Sequence, residues 1–555
     1  MIPLEWMAPL MFLGLVLFMV IGFPVTFSLA AVGLFFGFIA IESHYFDFAL
    51  LQALPERVFG IISNDTLLAI PFFTLMGAIL ERCGLAEDLL DGLGQLFGPI
   101  PGGLGYAVIF VGAILGAITG TVAASVIAMG LISLPVMMRY GYDQRFATGV
   151  IAASGTITQL IPPSLVLIVL ADVLGRSVGD MYAGAWGPSV VQVLLFAGYV
   201  LLVSIFKPQW VPGIPKSSRT LHGWPLVKKC LWGIVPSAVL IFLVLGTIFL
   251  GLATPTEAGA MGTVGAIALA VVHHPEFSRH GRIAAWIALV TITVVCIPAS
   301  LMLADEWLPA LAGPARTFFE MLRAPLFVVF YAGLGVVLWE AVRITKLRSL
   351  IWQASQSTMR ITAMVLFILV GSTIFVLVFR GVDGDPFIEH LLSHLPGGAV
   401  GFLIFVNLFV FFLAFFLDFF EIAFIIVPLL APVAAKLGID LIWFGVLLCV
   451  NMQTSFMHPP FGFALFYLRS IAPKEIKSSA IYWGAIPWVV LQLIMVAIVI
   501  VWPGLVTFML DKPSGIDPNT IKIELPQTEF QQDQEKSEKE GESEAPPDFS
   551  TPQKK

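Results

Sequence analysis

Two acidic residues stand inside a long apolar stretch of the chain. Asp418 and Glu421 interrupt the segment Val400 to Ala434, in which almost all other residues are hydrophobic. A carboxylate at the centre of a bilayer costs about 2.5 to 3.5 kcal/mol on the insertion scale, so it should face a cavity or a polar partner. Asp418 is therefore a candidate ligand for a cation or a substrate hydroxyl group. The alternatives are that Asp418 caps a helix at a turn and that Glu421 forms a structural pair.

Polar residues also cluster before two pairs of consecutive prolines. Pro162-Pro163 and Pro459-Pro460 follow runs rich in Ser, Thr, Asn and Gln. Two successive prolines break a helix, because each removes an amide donor and clashes with an earlier carbonyl. Freed carbonyls and hydroxyls can then bind a sodium ion, and amides at the start of a half-helix can hold a carboxylate. The alternative is that small polar residues only allow helices to pack closely around a kink.

A third polar cluster, Thr119-Gly120-Thr121, lies in the middle of the apolar stretch Leu104 to Met138. Together the clusters predict two cation sites with a substrate between them. The predicted cation ligands are Thr119, Gly120, Thr121, Ser154, Gly155, Thr156, Asp418, Asn451 and Thr454. The predicted substrate residues are Asp418, Arg380, Ser125 and Gln453. For Arg380 the alternative is an arginine that extends from the end of a span to the membrane interface.

The composition is that of an integral membrane protein. Of the 555 residues, 58% are hydrophobic and 12% are charged, and the mean hydropathy is +0.94. Soluble domains carry about 25% charged residues. The apolar runs reach the roughly 20 residues that a membrane helix needs, so helices are predicted and a β-barrel is not. The four cysteines show no paired spacing, which argues against a disulfide framework and a metal site.

The elements that position the polar clusters are predicted to occur twice. Five turn-forming residues recur 297 positions later without a gap, from 135 to 432 for example. They are Pro135, Gly141, Asp143, Pro162 and Pro163, which recur as Pro432, Gly438, Asp440, Pro459 and Pro460. Asp143 and Asp440 each follow a short glycine turn and are predicted to be helix N-caps. In membrane proteins, repeats with interrupted helices indicate a secondary transporter.

The distribution of charge predicts the orientation of the two copies. Basic residues concentrate in segments 207–229, 279–282, 343–360 and 469–477, which the positive-inside rule assigns to the cytoplasm. The acidic loop Gly381 to Pro396 then lies outside. Leu104 to Met138 and Val400 to Ala434 are too short for two full spans and a turn, so re-entrant hairpins are predicted. The first opens to the cytoplasm and the second to the exterior, which makes the copies inverted.

We therefore predict an all-α polytopic membrane protein with two inverted-topology repeats, each of five spanning helices plus one re-entrant hairpin, and an inserted helix pair between them. The predicted segments are 1–206 for the first repeat, with a hairpin at about 103–138 and a broken helix at about 146–172; 207–231 for a basic cytoplasmic linker; 232–273 for the first two helices of the second repeat; 274–345 for the inserted pair; 346–510 for the remainder, with a hairpin at about 399–434 and a broken helix at about 441–468; and 511–555 for a disordered polar tail.

Several of these segments resemble the large membrane subunit of TRAP transporters, the tripartite ATP-independent periplasmic systems. They are Gly22-Phe-Pro-Val-Thr-Phe-Ser-Leu-Ala, Gly155-Thr-Ile-Thr-Gln-Leu-Ile-Pro-Pro-Ser, Ala253-Thr-Pro-Thr-Glu-Ala-Gly, and Leu417-Asp418 followed by Pro428 and Pro432. The resemblance implies an elevator-type importer in a bacterial inner membrane, driven by sodium ions. It also implies a small four-helix membrane subunit and a periplasmic binding protein that delivers an organic acid.

The chain departs from the usual family pattern at the second tip. Phe419, Phe420 and Glu421 follow the Leu-Asp, and Met457-His458 precedes the second proline pair. With the inserted helix pair, these features resemble a longer subgroup associated with α-keto acids, lactate, mannitol or chloroaromatic compounds.

The sequence predicts a transporter subunit and not an enzyme. No phosphate loop, zinc spacing or soluble catalytic pattern occurs, and we expect no cofactor other than sodium as the coupling ion. The expected partners are the lipid bilayer, the small subunit and the binding protein, and no nucleic acid. The alternative is a stand-alone exchanger of ions and organic anions, or a proton-coupled carrier in which Asp418, Glu421 and His458 relay protons.

Overall fold

Every regular element in the described part of the chain is a helix. The structure, a computed structural model, describes residues 2–215, 223–274, 283, 328, 331–393, 395–415, 417–459 and 462–510. Most of the predicted inserted pair and the predicted tail from 511 to 555 lie outside these residues. The predictions for those two segments therefore stay predictions.

The first half contains a series of long apolar helices, one helical hairpin and one interrupted helix. Its helices are α1 (Leu4–Ile21), α2 (Val25–Glu42), α3 (Ala49–Gln52), α4 (Leu54–Ile62), α5 (Asp65–Arg82), α6 (Leu85–Phe97), α7 (Gly103–Thr119), α8 (Val122–Arg139), α9 (Gln144–Thr156), α10 (Leu165–Val173) and α11 (Val178–Phe206).

The second half contains the same kinds of element in the same order. Its helices are α12 (Trp224–Phe249), α13 (Pro255–His273), α14 (Thr345–Gly381), α15 (Gly384–Ser393), α16 (Gly398–Leu413), α17 (Phe419–Lys436), α18 (Leu441–Met452), α19 (Phe463–Ile471), α20 (Ser478–Val501) and α21 (Gly504–Thr507). Residues Ile422–Ile426 form a π-helical stretch inside α17.

Helix boundaries recur at the spacing that the turn residues predict. Helix α8 shifted by 297 positions gives residues 419–436, which are the bounds of α17. Helices α9 and α10 correspond in the same way, within one residue at each end, to α18 and α19. Asp143 and Asp440 cap the equivalent helices α9 and α18 through their carboxylates, as predicted.

Both segments predicted as hairpins consist of two helices joined by a short turn, and their re-entrant topology stays a prediction. Helices α7 and α8 are joined through Gly120 and Thr121 alone, and the amide of Leu104 at the start of α7 donates to the hydroxyl of Tyr142, just after α8. In the second hairpin, Phe402 near the start of α16 packs against Phe444 near the start of α18, with ring centroids 6.1 Å apart. Each hairpin therefore begins and ends at the same end of the molecule.

Eight described helices are long and apolar enough to cross a membrane, or nine if the bent pair from Ala49 to Arg82 counts as one span. The return arms α8 and α17 are among the eight. Length and composition alone thus do not separate an arm of a hairpin from a complete span. The inverted orientation and the number of true spans remain predictions from the charge pattern.

The two halves are interleaved and not side by side. Helix α2 packs along α14, and its equivalent α13 packs along α5. The second contact is close, because a Cβ atom at Gly262 would lie 2.5 Å from the sulfur of Met76. The hydroxyl of Thr263 donates to the carbonyl of Phe72 across the same helix pair at 2.9 Å. Each half therefore completes the packing of the other.

Some predicted boundaries need correction. Helix α12 begins at Trp224 and not at 232, since Pro225 is well placed in a first helical turn and the Lys228–Lys229 pair continues the helix. Two amphipathic helices, α6 and α15, lie outside the continuous apolar runs that predict the spans. They connect α5 and α14 to the two hairpins.

Close packing of the first hairpin against the interrupted helix generates a prediction. A Cβ atom at Gly112 of α7 would lie 2.7 Å from Cβ and 2.9 Å from the carbonyl oxygen of Ser154. Gly112→Ala should lower the free energy of unfolding by about 1 to 3 kcal/mol. A melting temperature several degrees lower should result, measured by tryptophan fluorescence of the detergent-purified protein.

Gly198→Ala in α11 is the matched control. A Cβ atom there meets nothing within 4 Å, so the melting temperature should stay the same or rise slightly with the better helix propensity of alanine. Equal melting temperatures for the two variants would contradict the close contact.

Candidate cation and substrate site

The first interrupted helix is unwound where the paired prolines predict a break. Helix α9 ends at Thr156, a short 3₁₀ turn follows, and α10 begins only at Leu165. Pro162 and Pro163 lie in the gap. Ser164 is the N-cap of α10, where its hydroxyl accepts from the amide of Val166 at 3.2 Å.

Side chains capture the carbonyls that this break releases. The hydroxyl of Ser189 on α11 donates to the carbonyl of Leu160 at 3.1 Å. Thr158 donates to the carbonyl of Gly155 at 2.8 Å, and Ser164 donates to that of Gln159. The unwound segment is thus held in a defined conformation inside the bundle.

The tip of the first hairpin lies against this break. Gly120 ends α7 with φ of +60°, a left-handed conformation that favours glycine. A Cβ atom at Gly120 would lie 3.8 Å from the carbonyl oxygen of Pro163 and 3.5 Å from Cγ of Leu165. Thr121 is the first residue after this turn. The side chain of Thr119 lies outside the described residues.

The predicted cation ligands on α9 are buried and differ in what they contact. Ser154 donates to the carbonyl of Val150 at 2.6 Å, and Thr156 donates to that of Ala153 at 2.8 Å. A hydroxyl that donates one hydrogen bond keeps lone pairs that can accept or bind a cation. Gly155 faces the return arm, where an added Cβ would lie 2.2 Å from Val126 Cγ2. The absence of a side chain at Gly155 therefore lets α9 pack closely against α8, independently of any ligand that its carbonyl binds.

The second break carries buried amide groups without partners. Asn451 donates through Nδ2 to the carbonyl of Asn407 at 2.7 Å, but its Oδ1 has no hydrogen-bond partner among the described residues. Gln453 is fully buried, and neither of its side-chain polar atoms has such a partner. Thr454 donates to the carbonyl of Asn451 at 2.7 Å. Buried polar atoms of this kind require a bound ion, ligand or water.

The tip of the second hairpin is closed by a capping box. The Asp418 carboxylate accepts from the amide of Glu421 at 2.9 Å, and the Glu421 carboxylate accepts from the amide of Asp418 at 2.8 Å. Both residues therefore have the structural role that was the alternative to ligand binding. Asp418 Oδ1 makes the cap.

The two breaks meet in the interior. The hydroxyl of Thr156 lies 3.8 Å from the sulfur of Met457, and Gln492 of α20 donates to that hydroxyl at 2.9 Å. Cys449 of α18 donates through Sγ to the carbonyl of Gln159 at 3.4 Å. The hydroxyl of Thr156 thus faces the second break and α20.

Other predicted residues lie at a distance from these contacts or outside the described part. Arg380 forms an ion pair with Asp385 at 3.1 Å. It lies eight residues beyond Ser372, whose hydroxyl donates to the carbonyl of Phe424 in α17, so it is about 12 Å further along α14. Ser125 is buried in the first turn of α8. Pro459 lies in the second break, and Pro460 is outside the described residues.

Three buried amides are not among the residues that the sequence predicts for the site. Asn407 bonds Asn451, Gln492 bonds Thr156, and Gln192 is fully buried with both polar side-chain atoms unpartnered among the described residues. Asn407 and Gln492 each stand alone among apolar residues of their helices. A single polar residue in such a helix is the signal that could have found them.

An all-helical bundle with apolar spans, in which two hairpin tips meet two interrupted helices, defines a membrane transport protein. The chain matches the family model described as tripartite ATP-independent periplasmic transporter, DctM component, over residues 12–310 and 308–505. It therefore belongs to the family of TRAP transporter large permease subunits.

Two relatives that are named as TRAP transporter permeases agree with this assignment. The chain is 27% identical to the C4-dicarboxylate TRAP transporter large permease protein DctM of Pseudomonas aeruginosa, over 82% of this chain and 88% of the relative. It is 26% identical to the sialic acid TRAP transporter large permease protein SiaM of Vibrio cholerae, over 87% and 93%. The crystal structure of the Alcanivorax borkumensis YdaH transporter is similar with a TM-score of 0.49 and 17% identity, covering 83% of this chain and 90% of that chain.

The capping box generates a prediction about stability. Asp418→Ala removes the acceptor for the Glu421 amide and should lower the free energy of unfolding by about 1 kcal/mol, whereas Asp418→Asn keeps an acceptor and should not. Thermal unfolding of the purified variants measures the difference. If Asp418→Asn melts as early as Asp418→Ala, the side chain does more for stability than cap the helix.

Proposed function

We propose that the chain is the large transmembrane subunit of a sodium-coupled secondary transporter that imports a small organic acid. A periplasmic binding protein delivers the solute, and a small four-helix subunit completes the membrane complex in a bacterial inner membrane. The family membership supports a transporter and argues against an enzyme. Sodium coupling, the partners and the inner membrane are expectations from that membership.

The buried amides of the second break are the observation that carries the proposed site. Asn451 Oδ1 and the side chain of Gln453 have been removed from water without gaining partners among the described residues. Leaving such groups unpaired costs about 1 to 3 kcal/mol each. A bound sodium ion and the solute would supply the missing contacts, because carbonyl and amide oxygens at an unwound helix coordinate sodium in transporters of this design.

The first break offers a second cation position. Ser154 donates to a carbonyl of its own helix. Thr156 does the same and also accepts from Gln492, which leaves its hydroxyl one lone pair. The left-handed turn at Gly120 lies beside Pro163 in the same break. We assign one ion to the residues of the first tip and break. We assign the other to Asp418, Asn451 and Thr454. The solute would lie between the tips, within reach of Asp418, Ser125 and Gln453, with Arg380 at the end of α14.

The names of the relatives support an acidic solute. One relative is named for C4-dicarboxylates and the other for sialic acid, and both names denote carboxylic acids. Sequence similarity at 26 to 27% identity does not choose between them. We therefore propose that the solute is a small organic acid and that the binding protein determines which acid is transported.

The sodium requirement can be tested directly. The acid is chosen as the one that stabilises the binding protein in a thermal-shift screen. Proteoliposomes that contain both membrane subunits, together with binding protein and this acid, should accumulate the acid only under an inward sodium gradient. Replacing external sodium by choline should remove the accumulation. Uptake at the same rate in choline would overturn sodium coupling, and uptake without binding protein would favour the stand-alone carrier.

Asp418→Asn should slow uptake at least tenfold while the protein remains folded, because the amide keeps the cap and loses the negative charge that a cation would meet. Asp440→Asn is the matched control. Asp440 also caps a helix in the second half, accepting from the amide of Trp443 at 2.8 Å, but it lies at the start of α18 and not at a tip. Equal uptake by the two variants would remove Asp418 from the site.

A further inference from the structure

The two halves differ at three equivalent positions where a hairpin meets a break. The first half has isoleucine at all three: Ile114 and Ile118 on α7, and Ile161 in the break. The residues 297 positions later are Phe411, Phe415 and His458. An entirely aliphatic set is therefore replaced by a set of three rings in one half only.

These three rings form one cluster in the structure. The imidazole of His458 lies parallel to the Phe415 ring, with centroids 4.1 Å apart and an angle of 12° between the planes. The Phe411 ring meets the same imidazole edge-on, at 4.4 Å and 76°. His458 is 1% exposed. Since His458 belongs to the second break and the phenylalanines belong to the hairpin, the stack joins the two elements through side chains.

The first half makes the equivalent connection differently. Its tip contacts the break at Gly120, which lies beside the Pro163 carbonyl and the Leu165 side chain. Stacked rings have a preferred geometry that aliphatic side chains lack. The second tip is thus held in a defined register, and Phe415 lies only three residues before Asp418. A shift in the stack would move the Asp418 carboxylate with it.

We propose that His458 is a positioning residue that holds the second hairpin tip on the second break and so sets Asp418 relative to Asn451 and Gln453. The sodium and solute consequences rest on the proposed function. Ring pairs of this kind bias an equilibrium by about 2- to 10-fold. A bias of this size is small enough for a bound ligand to shift the position of the second tip. The imidazole acts here as a ring, and no proton relay is needed.

Transport kinetics test the role of the ring. His458→Ile installs the residue of the first half and should raise the sodium concentration for half-maximal uptake about 3- to 10-fold, with little change in maximal rate or melting temperature. His458→Phe restores a ring and should recover most of the sodium affinity. Unchanged sodium affinity in His458→Ile overturns the proposal, and so does a His458→Phe variant as impaired as His458→Ile, because the nitrogens would then matter.

A labelling experiment tests the same inference without transport. In a background with the native cysteines replaced, Leu417→Cys reports on the second tip and Thr121→Cys on the first. Adding His458→Ile should speed maleimide labelling of residue 417 about 2- to 10-fold and leave that of residue 121 unchanged. Faster labelling of residue 417 alone supports the inference even if uptake proves independent of sodium. If His458→Ile speeds labelling equally at residues 417 and 121, or changes neither rate, the inference is overturned, whether or not sodium drives uptake.

Discussion

Backbone groups released inside an apolar interior must find partners, and the rest of this structure depends on how the two breaks meet that constraint. At the first break, the freed carbonyls accept hydrogen bonds from the hydroxyls of Thr158, Ser164 and Ser189. The hairpins then cover both breaks, and close packing at Gly112 brings α7 against α9. The positions of the polar clusters follow from this need, since a lipid-facing break would leave its carbonyls unpaired.

The two halves have equivalent helix bounds but different side chains at their tips and breaks. The bounds of α8 and α17 are equivalent, yet the first tip is a glycine turn and the second is a capping box of Asp418 and Glu421. Hydroxyl groups hold the freed carbonyls at the first break, whereas amides without partners among the described residues and stacked rings lie at the second. The two tips thus share helix bounds but carry different side chains. Two sites of this kind would suit two ligands with different surroundings.

Long helices form a frame around the breaks that connects the two halves. Helix α2 packs on α14 and α13 packs on α5, so a long helix of each half rests on a long helix of the other. The amphipathic helices α6 and α15 lead from this frame to the hairpins. Interleaving therefore ties the halves into one unit.

Much of this arrangement follows from the sequence itself. Apolar length, paired prolines and a 297-residue repeat determine that the chain is helical, that two helices are broken and that two hairpins return, because these depend on backbone chemistry and local periodicity. The sequence did not reveal that Asn407 supports Asn451, that Gln492 bonds Thr156, or that His458 lies between Phe411 and Phe415. Only the tertiary structure decided these, since each is a contact between residues distant in the chain whose side-chain directions depend on how the helices pack.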